Sequence, residues 1–143
     1  MKDLQSRIKA VEAELADIKK ELKPDTRTIT ERVTSYETAC LEIGTPQIGE
    51  TLYPKDVAAY MKLRIIAEAL NEGHKFTYTP DEYRYYPWFE INPAGFVRVL
   101  STNAASNTSA SIGARLCFKT RTLAEYAGRT FLDIYQDFLI DKT

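Results

Sequence analysis

Six aliphatic residues near the start of the chain, Leu4, Ile8, Val11, Leu15, Ile18 and Leu22, are separated by 4, 3, 4, 3 and 4 positions. That spacing is a heptad seam, and a helix that carries it shelters the stripe against other helices. With Ile8, Leu15 and Leu22 at the a positions, Leu4, Val11 and Ile18 fall at d. In a parallel assembly each g side chain meets the following e of its neighbour. Here that pairs Arg7 with Glu12 and Glu14 with Lys19, opposite in sign both times. β-Branched residues at two of the three d positions favour a trimer, with a tetramer as the alternative, over a dimer. Residues 1–24 therefore read as a coiled-coil oligomerisation helix, closed by Pro24, which cannot extend the hydrogen-bond ladder. The coil spans only about 33 Å. Three heptads alone are marginal, so the body must add to any stable homo-oligomer.

Residues 25–143 read as one small α+β domain. Thr28 and Glu31 form a capping box that opens a helix over 29–43. Its buried stripe is Ile29, Val33, Tyr36, Cys40 and Ile43, and Gly44 stops it. Pro54 starts a further helix, which turns Val57, Met61, Ile65, Ile66, Ala69 and Leu70 inward and ends at Gly73. The character then changes. The runs "KFTYTP", "YRYYPWFEI", "FVRVLS" and "ARLCFKT" are rich in aromatic and β-branched residues, and they predict a three-stranded antiparallel sheet. "NPAG" (92–95) is a tight reversal, and Pro87 marks an edge or a bulge. A last helix, capped by Thr122 with Glu125, repeats Leu123, Ala127, Phe131, Ile134 and Phe138 and packs one broad face on the sheet.

The chemistry is sparse. No phosphate-binding glycine loop, no nucleophile elbow and no metal-ligand spacing occurs, so an enzyme is not expected and neither is a cofactor. Cys40 and Cys117 stand far apart, and His74 is the lone histidine, which leaves too few ligands for zinc. The thiols read as buried and reduced. The longest apolar runs fall far short of a membrane span, and a net charge of −1 supplies no global field to attract nucleic acid.

Two surfaces remain. Alternation along 83–89 puts Arg84, Tyr86 and Trp88 on one face of a strand, where they would grip a nucleotide or stack single-stranded nucleic acid, with Arg98 and Arg115 adding phosphate contacts. The segment Ser101–Ser111 is drawn only from Ser, Thr, Asn and Ala. It reads as a surface loop between two strands, offering Ser101, Thr102, Asn103, Asn107 and Thr108 for interaction. Asn codons whose adenines have been replaced yield the same four residues, the palette of retroelement-diversified binding proteins.

At "AAYMKLRIIAEALNEG", "EYRYYPWFEI", "GF" and "ARLCFKTRTLAEYAGRTFLDIYQDFLI" the chain resembles a family of small, uncharacterised proteins from bacteriophages and prophages of gut bacteria. The similarity covers roughly residues 30 to 140 and is most specific at the C-terminal segment. It implies phage origin, a place in the host cytoplasm or the virion, and no catalytic residues to carry over. Together these readings predict a non-enzymatic structural or binding protein. Its expected partners are sister chains, another phage or host protein, and no membrane. A nucleotide or single-strand binder is the alternative.

Overall fold

The computed structural model describes residues 2–21, 26–93, 95–106 and 113–140. Leu22 and Pro24, the last seam residue and the expected helix stop, lie outside them, as do Asn107 and Thr108. The chain is of mixed α+β class: helices α1 (Lys2–Glu21), α2 (Ile29–Arg32), α3 (Tyr36–Ile43) and α4 (Lys55–Leu70), strands β1 (Arg84–Asn92) and β2 (Gly95–Ala105), then α5 (Arg121–Thr130) and α6 (Leu132–Leu139).

The helix expected over 29–43 is two helices, because a second start signal interrupts it. Ser35 accepts from the Thr38 N–H at 3.1 Å, while the Thr38 hydroxyl accepts from the N–H groups of Ser35 and Thr34 at 2.9 and 3.0 Å. These bonds satisfy the free donors of a new helix end, and Val33 leaves the helical region to make room for them. The break is fastened from outside by the Tyr126 hydroxyl, which lies 2.9 Å from the Thr30 carbonyl and 2.6 Å from that of Val33. Val33, Tyr36 and Cys40 are buried as their spacing implies, and Gly44 ends α3 at φ +70°.

In α4 the inward face is displaced from expectation. Ala58, Ala59, Leu63, Ile66, Ala67, Ala69 and Leu70 are buried, whereas Val57 stands exposed. The alanines let α3 and α6 approach this helix from two sides. The last helix is likewise divided, at Phe131, and its cap is Thr120, whose hydroxyl accepts from Leu123 N–H at 3.1 Å, instead of Thr122. α5 lies on the hairpin, with Leu123, Ala124, Ala127 and Gly128 buried in the contact.

Among the described residues the sheet has two strands, not the expected three. The hairpin forms at Pro93 as predicted, with Asn92 opposite Gly95. The third run contributes one residue only. Phe118 and Tyr85 exchange both backbone bonds, at 2.9 and 2.7 Å, and form an isolated bridge. On one side of it a 3₁₀ turn (Ala114–Leu116) curls the chain away, and on the other Thr120 caps α5. No length is left for a ladder.

The small-residue segment also departs from expectation. Ser101 to Ala105 are strand, paired opposite Trp88 to Arg84. Backbone pairing needs no side chain, and the aromatic partner strand supplies the bulk that these residues lack. The pairing explains Pro87. Tyr85 turns its backbone toward Phe118, so Pro87, two residues on, also points away from β2 and withholds no ladder donor. Its partner Thr102 then turns its carbonyl to the outer edge of the sheet, where Arg121 Nη1 donates to it at 2.6 Å and to Thr102 Oγ1 at 2.8 Å.

One buried amide joins the helical and the strand halves. Asn71, at the end of α4, donates from Nδ2 to the Cys117 carbonyl at 2.9 Å and accepts from Lys119 N–H on Oδ1 at 2.8 Å. This two-point bond acts as a surrogate strand and presses Phe118 into the core, where it is 1% exposed. Asn71→Leu keeps the volume but orphans a buried carbonyl and an amide N–H. Stability should fall by about 2–4 kcal/mol, read as a lower urea midpoint at unchanged slope.

Candidate functional site

The heptad seam is exposed. Every described side chain from Asp3 to Lys19 faces solvent, and Leu4, Ile8, Val11, Leu15 and Ile18 are between 49% and 63% accessible. The stripe does not lie on the chain's own later helices. Isolated apolar residues on a surface are ordinary, but these five stand in register and form one exposed apolar stripe along the helix.

The arginine and aromatic set expected on the sheet is dispersed. Trp88 is 48% exposed and Tyr86 is half-buried, but Arg84 is buried at 3%. Its Nη2 donates to the Ser106 carbonyl at 3.2 Å, and its guanidinium lies 5.5 Å from the Tyr78 ring centroid. Arg84 thus holds the hairpin end, and the expected ligand face loses its first cation to the interior. The bridge at Phe118 is the reason: an arginine beside Tyr85 is covered by the returning chain. Arg98 lies on β2 opposite Glu90. Arg115 is exposed on the 3₁₀ turn, away from any strand. Of the loop residues, Ser101, Thr102 and Asn103 belong to β2, and the Thr102 hydroxyl is engaged by Arg121.

Sequence reasoning missed a cleft. Arg64 and Glu68 from α4, Lys75, Phe76 and Tyr78 from the loop that follows it, and Arg115 enclose about 270 Å³. No periodic pattern could have grouped them, because three separate segments supply the walls. The loop wall is knotted by Glu82, whose Oε1 accepts from Thr77 N–H at 2.6 Å and from the Thr77 hydroxyl at 3.3 Å. Its Oε2 lies 3.1 Å from His74 Nε2, and the His74 ring meets Phe76 edge-on at 5.2 Å. The Thr77 N–H bond, with the imidazole behind it, holds the Glu82 carboxyl below the usual carboxylate range. Tyr78 takes φ +57°, the left-handed region that an aromatic residue rarely enters.

Neither thiol is placed for nucleophilic work. Cys40 and Cys117 are buried and free. Burial pushes Cys117 up to about 11 although Arg84 pulls the other way, and its Sγ lies 3.3 Å from the Gly113 carbonyl. Among the described residues no group of three metal-ligating side chains occurs, and no helix is long and apolar enough to cross a membrane. The chain matches no family model, no curated protein and no solved structure.

Two outcomes follow. Because the carboxyl of Glu82 is depressed, its contribution is complete above the ordinary carboxylate pKa and is lost as pH falls through the folded value. Hydrogen exchange at Thr77 should therefore quicken on acidification, and Glu82→Gln should abolish that pH dependence. Both thiols should resist iodoacetamide at about pH 8 in the native protein and react at once in urea.

Proposed function

We propose that this chain is a phage-encoded, non-enzymatic binding or structural module that self-associates through a parallel α1 coil, as a trimer in preference to a tetramer. The exposed seam carries the reading. Five aliphatic side chains, each about half accessible, release roughly 5 kcal/mol per helix when covered. That is at the low end of the cost of association, so the seam alone assembles weakly, contacts from the body must add to it, and the assembly dissociates on dilution. The g and e charges favour parallel sister chains over other occupants, since Arg7 meets Glu12 and Glu14 meets Lys19 across the seam. A parallel bundle carries all of its bodies at the same end. In this reading several copies of any contact surface on the body are brought together. Linked copies raise a weak contact through effective concentration. The host cytoplasm or the virion is the proposed setting.

Light scattering tests the assembly. The protein should be a trimer whose population rises with concentration. The double substitution Ile8→Lys with Leu15→Lys should give a folded monomer, since neither side chain touches the body. A native protein that remains monomeric at high concentration would defeat the proposal.

A further inference from the structure

We propose that the cleft between α4, the loop of residues 73–78 and the Ala114–Leu116 turn binds a mononucleotide, its phosphate held by Arg64, Lys75 and Arg115 and its base laid on Tyr78. The inference is independent of the α1 coil.

Charge is the first support. Some surface cations have carboxylate partners: Arg32 pairs with Glu42 and Glu72, Lys119 with Glu72, Lys55 with Asp137 and Arg129 with Glu125, while Arg64 lies 5.9 Å from the Tyr60 ring centroid. Among the described residues Arg64, Lys75 and Arg115 have no such partner, although the chain as a whole is slightly acidic. They line one concavity, where low-dielectric walls strengthen their joint field. Three donors around one phosphate give charge-assisted bonds, which are about twice as strong as neutral ones.

The remaining features select a nucleotide over a bare anion. The Tyr78 ring is 68% exposed, and Arg84 near one side of it fixes its orientation. Its left-handed backbone is strained, and the Glu82 knot holds the loop that carries it. An exposed, oriented aromatic ring is a stacking platform for a base. Glu68 adds a carboxylate to the same cleft. It opposes a lone phosphate but accepts hydrogen bonds from an exocyclic amine or ribose hydroxyls. The volume of about 270 Å³ is of the order of a single nucleotide.

The walls are assembled before any ligand arrives. Asn71 lines the cleft and pins the 117–119 segment behind the Arg115 turn, while Glu82 ties down the loop opposite. A site built this way loses little entropy on binding.

Titration calorimetry of the full chain with adenosine monophosphate, adenosine and inorganic phosphate decides the matter. Adenosine monophosphate should bind with a Kd below about 1 mM. Arg64→Ala and Arg115→Ala should each weaken it by about 10-fold, as loss of one charge-assisted contact implies. Both positions are exposed, so the melting temperatures of these variants should match the parent's. Tyr78→Ala should weaken adenosine monophosphate but leave inorganic phosphate unchanged, and adenosine should bind far less well than its phosphate. Absence of saturable binding overturns the proposal, as does equal binding of adenosine monophosphate and inorganic phosphate. Binding that survives both arginine substitutions but is lost in Trp88→Ala also overturns it and returns the site to the sheet.

Discussion

The side-chain amide of Asn71 is the hinge pin of this fold. It sits where α4 ends and, among the described residues, is buried with Arg84 as one of two polar side chains in a largely apolar interior. Its two bonds reach backbone groups 46 and 48 residues away. Phe118 spends its own N–H and carbonyl on Tyr85, which leaves the Cys117 carbonyl before it and the Lys119 N–H after it to be satisfied; a planar amide serves both in one geometry. Once Phe118 is fixed, Tyr85 is fixed by the bridge, and the register of the hairpin follows from Tyr85. The chain leaving Phe118 then enters α5 at Thr120, which settles where the last two helices cross α4.

The parts of this arrangement visible in the sequence were those with local causes. The Thr28 and Glu31 capping box, the left-handed stop at Gly44, the reversal at Pro93 and the burial of Cys40 each need only a few neighbouring residues to declare themselves, whereas α4 ends at Leu70 with Asn71 as its cap, ahead of the expected Gly73. The Ser35 and Thr38 box was equally local, but it lay inside a stripe of the right helical period, and the period masked the interruption. Long-range causes were not legible. Nothing in "ARLCFKT" says that a single residue of it will pair, because that depends on an asparagine almost fifty positions earlier. Ser101 to Ala105 looked like loop for a related reason: their composition favours turns in isolation, and the partner strand overrides it.

The candidate sites divide in the same way. The α1 seam is a one-dimensional pattern, so its residues were named from spacing alone, and the exposure of five of them leaves it available to sister chains. The sheet set was drawn from alternation, which gives a face but not what covers it; Arg84 went to the interior because a returning segment lay over that end of the strand. The cleft beside α4 unites positions 64, 75 and 115, a grouping that exists only in three dimensions. The two surfaces make different demands on the body. The proposed coil needs α1 to stand clear and the body to add contacts of its own, whereas the cleft needs three segments held in fixed relation.

The guanidinium of Arg121 on the outward carbonyl of Thr102 bears on how such a molecule stays finite. In the proposed assembly, a bundle at one end of the chain would crowd several hairpins into a small volume, at roughly millimolar local concentration. A strand with a free row of acceptors would recruit its neighbours there and continue from cluster to cluster, as exposed edges do in fibres. The Arg121 guanidinium occupies one acceptor of that row, and in the proposed assembly it would hinder pairing between neighbouring hairpins.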